Sequence, residues 1–149
     1  MKDKFDIVRL SEEHLSDVAE LEALCFAHPW TADGLKTLTG DGGVGFAAVD
    51  NESGKVVSYA GMIFAADAGD ITDVATHPDF RRRGISRAVM ERLIEFSREK
   101  GLVSIALDVR VSNAGAIALY EGLGFDVAGK RPRFYRTPPE DAYVMIKQL

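Results

Sequence analysis

The sequence predicts an α/β (α+β) fold in which a mixed sheet is covered by helices. Three observations lead there. Short runs rich in apolar and β-branched residues, such as "VGFAAVD" and "LVSIALDVR", recur between turn residues. Amphipathic stretches of helical period, clearest over 84–100, fall between them. The two kinds interleave as βα(α)βββαβαββ, an order suited to one layered domain.

"FDIVRL" alternates and predicts a short strand. In "SEEHLSDVAELEALCF", Ser11 is placed to cap a helix and Glu12 and Glu13 favour its positive end. Leu15, Val18, Leu21 and either Leu24 or Cys25 fall on its apolar stripe. Pro29 disfavours helix at His28, and Thr31 is placed to cap a second short helix through Leu38. After the turn "TGDGG", the runs "VGFAAVD" and "KVVSYAGMIFAAD" predict two strands joined at Asn51–Gly54, and "DITDVATHP" a third that Pro78 ends. Residues 84–100 form a helix with Ile85, Val89, Leu93 and Phe96 on one face, closed by Gly101 in a left-handed cap. "LVSIALDVR" predicts a buried strand. Asn113 caps the helix "AGAIALYEGL", which Gly124 ends. "FDVAGK" and "DAYVMIKQL" predict closing strands, with the Pro- and Arg-rich "RPRFYRTPP" read as the loop between them.

The 149 residues fit a single domain, 1–149, and 46% hydrophobic residues suffice for a core without disulfides. Cys25 is the single cysteine, which rules out an intrachain disulfide or a cysteine-built zinc site. His14, His28 and His77 are scattered, so no metal site is expected. Without a signal-like N-terminus or an apolar run of membrane length, the expectation is a cytoplasmic protein away from membranes. A net charge of −5 argues against direct nucleic-acid binding, which relies on many phosphate contacts.

Against that acidic background, "HPDFRRRGISRAVMERL" concentrates Arg81, Arg82, Arg83 and Arg87 at the turn into the 84–100 helix. Arginines at a helix N-terminus oppose the dipole, so a purely structural role explains them poorly. Free backbone N–H groups in the first turn, Gly84 and the small Ser86 allow close approach of an anion, and guanidinium forks add charge. The arrangement suits a diphosphate. It lacks the Gly-Lys-Ser/Thr of a P-loop and the three-glycine spacing of a dinucleotide fingerprint.

In that context "RRRGIS" resembles the pyrophosphate-binding signature of the GNAT superfamily of acetyl-CoA-dependent N-acetyltransferases, in which Gln or Arg is followed by two variable residues, Gly, one variable residue and Gly or Ala. Arg81, Gly84 and Ser86 take the defined positions, Ser86 departing from the usual Gly or Ala. "SNAGAIALYEGLGF" is similar to a second segment of the family. A narrower resemblance, carried by "FAHPW", "LDVRVSNAGAIALYEGLGF" and "RPRFYRTPPEDAYVMI", is to the ribosomal-protein-alanine N-acetyltransferase group.

The resemblance implies a mostly antiparallel sheet with a V-shaped splay between its two central strands and helices on both faces. It implies acetyl-CoA as co-substrate, with no metal. The diphosphate would lie at Arg81, Arg82, Arg83, Gly84, Ile85, Ser86 and Arg87, and the pantetheine along the strand edge at Val74, Ala75 and Thr76, with Asn113 hydrogen-bonding it. Tyr120 matches the general acid that protonates the leaving thiolate, although Ile117, Tyr120 and Leu123 share a stripe and core packing explains an aromatic there equally well. Asp108 stands where the narrower group has a Glu base. It reads either as a base acting through water or as a strand-end ion pair with Arg110 or a 131–136 arginine. Asp73 is a second candidate base, and a backbone N–H near Val74 is the expected oxyanion donor. Trp30, Arg131 and Tyr135 are expected at the acceptor, the N-terminal peptide of a ribosomal or other cytosolic protein. The alternatives are an enzyme for small amines or amino acids, and a non-catalytic acetyl-CoA sensor.

Overall fold

The computed structural model describes residues 4–149; the first three residues of the expected domain lie outside them. Seven strands form one sheet: β1 (Phe5–Arg9), β2 (Gly43–Asp50), β3 (Val56–Ala65), β4 (Ala68–Thr76), β5 (Ser104–Arg110), β6 (Asp126–Arg136) and β7 (Pro139–Gln148). Their order is β1-β2-β3-β4-β5-β7-β6. Every pairing is antiparallel except that of β4 with β5. Among the described residues three α-helices complete the fold: α1 (Leu15–Cys25), α2 (Ile85–Lys100) and α3 (Ala114–Gly122).

Strand alternation assigns the helices to opposite faces. In β2, Val44, Phe46 and Ala48 join the core under α2, with Val89, Met90, Leu93 and Ile94. Ala47, between them, joins Tyr59 in a second core with Leu15, Val18 and Leu21 of α1. The 3-10 turn Gly34–Thr39 closes that second core with Leu35 and Leu38. Leu24 is 55% exposed while Cys25 is half-buried, so Cys25 completes the α1 stripe.

β4 and β5 pair only at Ala68↔Ser104, Gly69↔Ile105 and Asp70↔Ala106, then separate. The cause lies in β4. Gly61 of β3 pairs with Asp73 and Met62 pairs with Ile71, which leaves Thr72 as an extra residue. Such a bulge bends its strand and increases the local twist. Gly61 makes it possible, because a Cβ there would stand 2.6 Å from Leu38 and 2.8 Å from Thr72 Oγ1.

Two expectations change. The helix expected from Ser11 begins as a 3-10 turn, Glu12–His14, and becomes α-helical only at Leu15. There the Ser11 N–H donates to His14 Nδ1 at 3.0 Å. "RPRFYR" is strand rather than loop: β6 runs through it to Arg136, leaving Thr137 and Pro138 as the connection. β6 is an edge strand, where Pro132 costs no sheet hydrogen bond, and an irregularity between Arg131 and Tyr135 absorbs the misfit. Within it Arg133 has φ 51°, and its N–H donates to Asp141 Oδ1 at 2.8 Å.

Candidate active site

The splay opens a cleft of about 620 Å³. Ile71–Val74 form one arm and Leu107–Arg110 the other. Asn113 and Tyr120 of α3 also line it, as do Cys25–His28, Trp30 and Phe134–Thr137. Beyond Asp70 the β4 edge is not paired to β5, which leaves an open backbone edge where Val74, Ala75 and Thr76 were expected to receive an extended ligand.

At one end, the β4–α2 turn has left-handed backbone at Arg82 (φ 62°) and Gly84 (φ 77°). Turns containing such residues form concavities of backbone N–H groups that suit anions. Gly84 is the N-cap of α2 and offers no side chain to its free amides. Ser86, the departure from the family signature, has a structural explanation. Its hydroxyl hydrogen-bonds Thr76 Oγ1, which in turn meets Ser58 Oγ at 2.8 Å, tying the end of β4 to the start of α2. The arginines differ from one another. Arg81 Nε donates to the Thr76 carbonyl at 3.1 Å, which holds that side chain against β4. Arg83 lies over the Phe80 ring at 5.1 Å. Arg87 pairs with Glu91 at 3.8 Å. Asn113 accepts from the Ala116 N–H at 3.2 Å, the expected cap, and borders the cleft as well.

At the other end two walls face each other. Trp30 and His28 come from the segment after α1, and Phe134 and Tyr135 from β6; His28 Nε2 and Thr137 Oγ1 hydrogen-bond across the gap at 3.2 Å. Arg110 fixes the second wall. Its guanidinium stacks on the Tyr135 ring at 4.2 Å, donates to the carbonyls of Thr137 and Pro138 at 2.9 Å each, and pairs with Glu140 at 3.2 Å. Glu140 in turn accepts from the Ser112 N–H at 2.7 Å, and these hydrogen bonds hold its carboxyl below the usual carboxylate range.

The ionisable groups between these ends fall into two environments. Tyr120 is buried, and burial, followed by the nearby Tyr135 and Asp73, pushes its phenol above the ordinary value, so it stays protonated at neutral pH. Burial first, then Asp108, raises Tyr135 to about 12. Asp108 is part-exposed and meets Arg131 Nε at 3.1 Å, the ion pair the sequence left open; Arg110 pairs elsewhere. Asp73 is half-buried, and burial first, then the neighbouring Glu22, raise its carboxyl well above the usual range.

Glu22 is the residue the sequence reading missed. It is fully buried; Oε1 accepts from the Trp30 N–H at 3.0 Å and Oε2 from the Tyr59 hydroxyl at 2.5 Å. The signal was present: Glu22 lies at the spacing of Leu15, Val18 and Cys25, a charged residue on an apolar stripe. Tyr59 was missed too, and Arg110 was read only as a possible partner of Asp108, because their actual partners are distant in sequence. Among the described residues no group of histidine, cysteine and carboxylate side chains is arranged to hold a metal, and no helix is long and apolar enough to cross a membrane.

A cleft between splayed strands, a glycine-capped helix start with basic residues and a buried phenol between them have a counterpart among known proteins. The sequence model of the Acetyltransferase (GNAT) family matches residues 15–125. The chain belongs to the GNAT acetyltransferase family. Over 141 residues it is 34% identical to the [ribosomal protein bS18]-alanine N-acetyltransferase of Escherichia coli (strain K12), covering 93% of this chain and 94% of that protein. The crystal structure of the ribosomal-protein-S18-alanine N-acetyltransferase from Escherichia coli superposes with a TM-score of 0.88 at 32% identity, over 97% of this chain and 94% of that one. The fold also matches Arabidopsis thaliana NAA60 in complex with acetyl-CoA, with a TM-score of 0.86 at 17% identity over 98% and 99% of the two chains. This GNAT protein has the mixed, mostly antiparallel splayed sheet that the family resemblance implied.

Proposed function

We propose that this GNAT acetyltransferase transfers the acetyl group of acetyl-CoA to the N-terminal α-amine of a protein, with a ribosomal protein of the bS18 kind as the leading acceptor and the cytoplasm as its place of action. What supports this most is the 34% identity to the bS18-alanine enzyme, which runs over 93% of the chain and so takes in both acceptor walls. The chain acts as a single domain, 1–149.

The open β4 edge at Val74–Thr76 suits an extended pantetheine, with Asn113 at its flank. The turn from Arg82 to Arg87 suits the diphosphate through its backbone amides and the Arg82, Arg83 and Arg87 charges; Arg81 serves chiefly to brace the turn. The amine enters between the Trp30 and Tyr135 walls, with Arg131 and Phe134 at the rim. Asp108, through a water, takes the proton the nitrogen must lose. An α-amine of pKa about 8 is partly neutral at pH 7, so a water-linked base suffices. A C–N bond forms as the C–S bond breaks. Tyr120 gives its proton to the departing thiolate and recovers one released from the nitrogen. A backbone N–H near Val74 stabilises the oxyanion.

The test is acetylation of a panel of N-terminal peptides, free amino acids and small amines, read by mass spectrometry. Transfer to peptide α-amines is expected. Turnover of small amines alone would overturn the acceptor assignment, and binding of acetyl-CoA without any transfer would favour a sensor.

A further inference from the structure

Glu140 is the second residue of β7 and stands directly opposite Tyr135 in the β6–β7 register. Opposed residues of an antiparallel pair share a face of the sheet. Arg110 of β5 lies with both of them, 4.2 Å over the Tyr135 ring and 3.2 Å from Glu140 Oε1. The second carboxylate oxygen reaches a different element. Oε2 accepts from the Ser112 N–H at 2.7 Å, in the turn between β5 and α3. That turn also closes on Arg110, whose carbonyl accepts from the Asn113 N–H at 3.0 Å.

One side chain therefore grips two pieces of the cleft. The first is the hairpin that carries Tyr135 and Thr137; the second is the turn that delivers Asn113 and, after it, α3 with Tyr120. Glu140 is not itself among the residues lining the cleft. An exposed ion pair would add little here. This pair is shielded, with the Arg110 and Glu140 side chains 28% and 17% exposed, and both oxygens of Glu140 are engaged. Arg110 is held further by the carbonyls of Thr137 and Pro138. Charge-assisted bonds of this kind fix geometry as well as adding energy.

We propose that Glu140 is a positioning residue for both substrates: through Arg110 it sets the Tyr135 wall that receives the acceptor, and through Ser112 it sets Asn113 beside the pantetheine. The acceptor half rests on the acceptor reading above. Glu140 moves no proton and acts only through the groups it holds.

The two grips can be separated by chemistry. In E140Q one oxygen becomes an amide nitrogen, which cannot accept. Arg110 keeps its two carbonyl acceptors, whereas the Ser112 N–H depends on residue 140, so the remaining oxygen goes to Ser112. E140Q thus loosens the acceptor wall and spares Asn113; E140A releases both.

The experiment combines calorimetric titration with acetyl-CoA, steady-state kinetics on the best acceptor of the panel, and amide hydrogen exchange. Acetyl-CoA should bind about threefold more weakly to E140A and with near-native affinity to E140Q and R110K. Acceptor KM should rise about fivefold in E140Q and in R110K, with kcat little altered. In E140Q/R110K it should rise no further than in the weaker single variant, because both changes release the same wall. The Ser112 amide should exchange faster in E140A than in native protein. Equal exchange there would overturn the grip, and equal acetyl-CoA affinity in native protein and E140A would overturn the shared role. A double variant whose KM multiplies the two single effects would overturn action through Arg110. Lower melting temperatures with native affinity and KM would make Glu140 a brace of the fold alone, and would equally overturn the proposal. If no peptide is acetylated while E140A weakens acetyl-CoA binding and E140Q does not, the acceptor assignment falls and the Ser112 grip is upheld.

Discussion

The two arms of the cleft each present an aspartate, and the two are opposites. Asp73 on β4 is half-buried, and burial, then the neighbouring Glu22, raise its carboxyl above the ordinary range. Asp108 on β5 is part-exposed and meets a guanidinium 3.1 Å away. One residue type thus meets two contrasting environments in the same cleft. What differs is the partner each strand register delivers. The bulge at Thr72 pairs Asp73 with Gly61, on the part of β4 against which α1 packs, while β5 reaches Arg131 through β7 and β6. Pairing of two titratable groups in contrasting environments is how one site separates its acid and base roles at a single pH.

The largest effect should come from the phenol between the arms. Tyr120→Phe is expected to lower kcat by about 100-fold or more while leaving coenzyme binding in place, because general-acid contributions are of that order. A steady-state assay with calorimetry of coenzyme binding checks both halves; equal loss of affinity would mean that Tyr120 serves the core alone.

Next, Asp108→Asn should lower kcat/KM about tenfold at neutral pH and approach the native rate as pH rises through the amine's own range. The ratio of the two pH–rate profiles is the measurement. A constant ratio would assign Asp108 to its ion pair with Arg131 rather than to the base.

A smaller change is expected in the acceptor wall. Arg110→Lys loses the planar stack on Tyr135 and the forked donation to two carbonyls, so acceptor KM should rise about fivefold with kcat little altered. Peptide titration at saturating acetyl-CoA reads this directly.

The subtlest sharpening is in stability. A carboxyl whose titration is raised on folding adds stability below its unfolded value, and this is lost as pH rises through the folded value. Asp73 is such a group, its ordinary value being 3.8. Native protein should therefore lose ground to Asp73→Asn as pH climbs from the ordinary aspartate range, and the gap in melting temperature should stop widening once Asp73 has titrated. A gap that narrowed over that interval would contradict the raised value.

Much of the frame could be read along the chain. The hydrophobic period gave α2 with Ile85, Val89 and Leu93 buried, and Gly101 and Gly124 took the left-handed conformations their positions at helix ends suggested. Thr31 accepts from the Gly34 N–H at 3.1 Å, but the short helix is a 3-10 turn, Gly34–Thr39, whose N-cap is Asp33 rather than Thr31. β6 was shortened because Pro132 and three arginines read as loop, and an edge strand tolerates what a central strand would not.

By itself the sequence determined what depends on neighbours in the chain: the periods, the caps, the basic glycine turn and the residue types offered to the cleft. Tertiary structure alone decided how those residues are charged and paired. Asp73 and Glu22 stand 51 positions apart and Asp108 and Arg131 are 23 apart, so they become neighbours only once α1 lies on the sheet and β6 returns along β7. The physical reason is range. Backbone periodicity and capping act over a few residues, whereas desolvation and charge pairing act through space and depend on which distant groups the fold brings together.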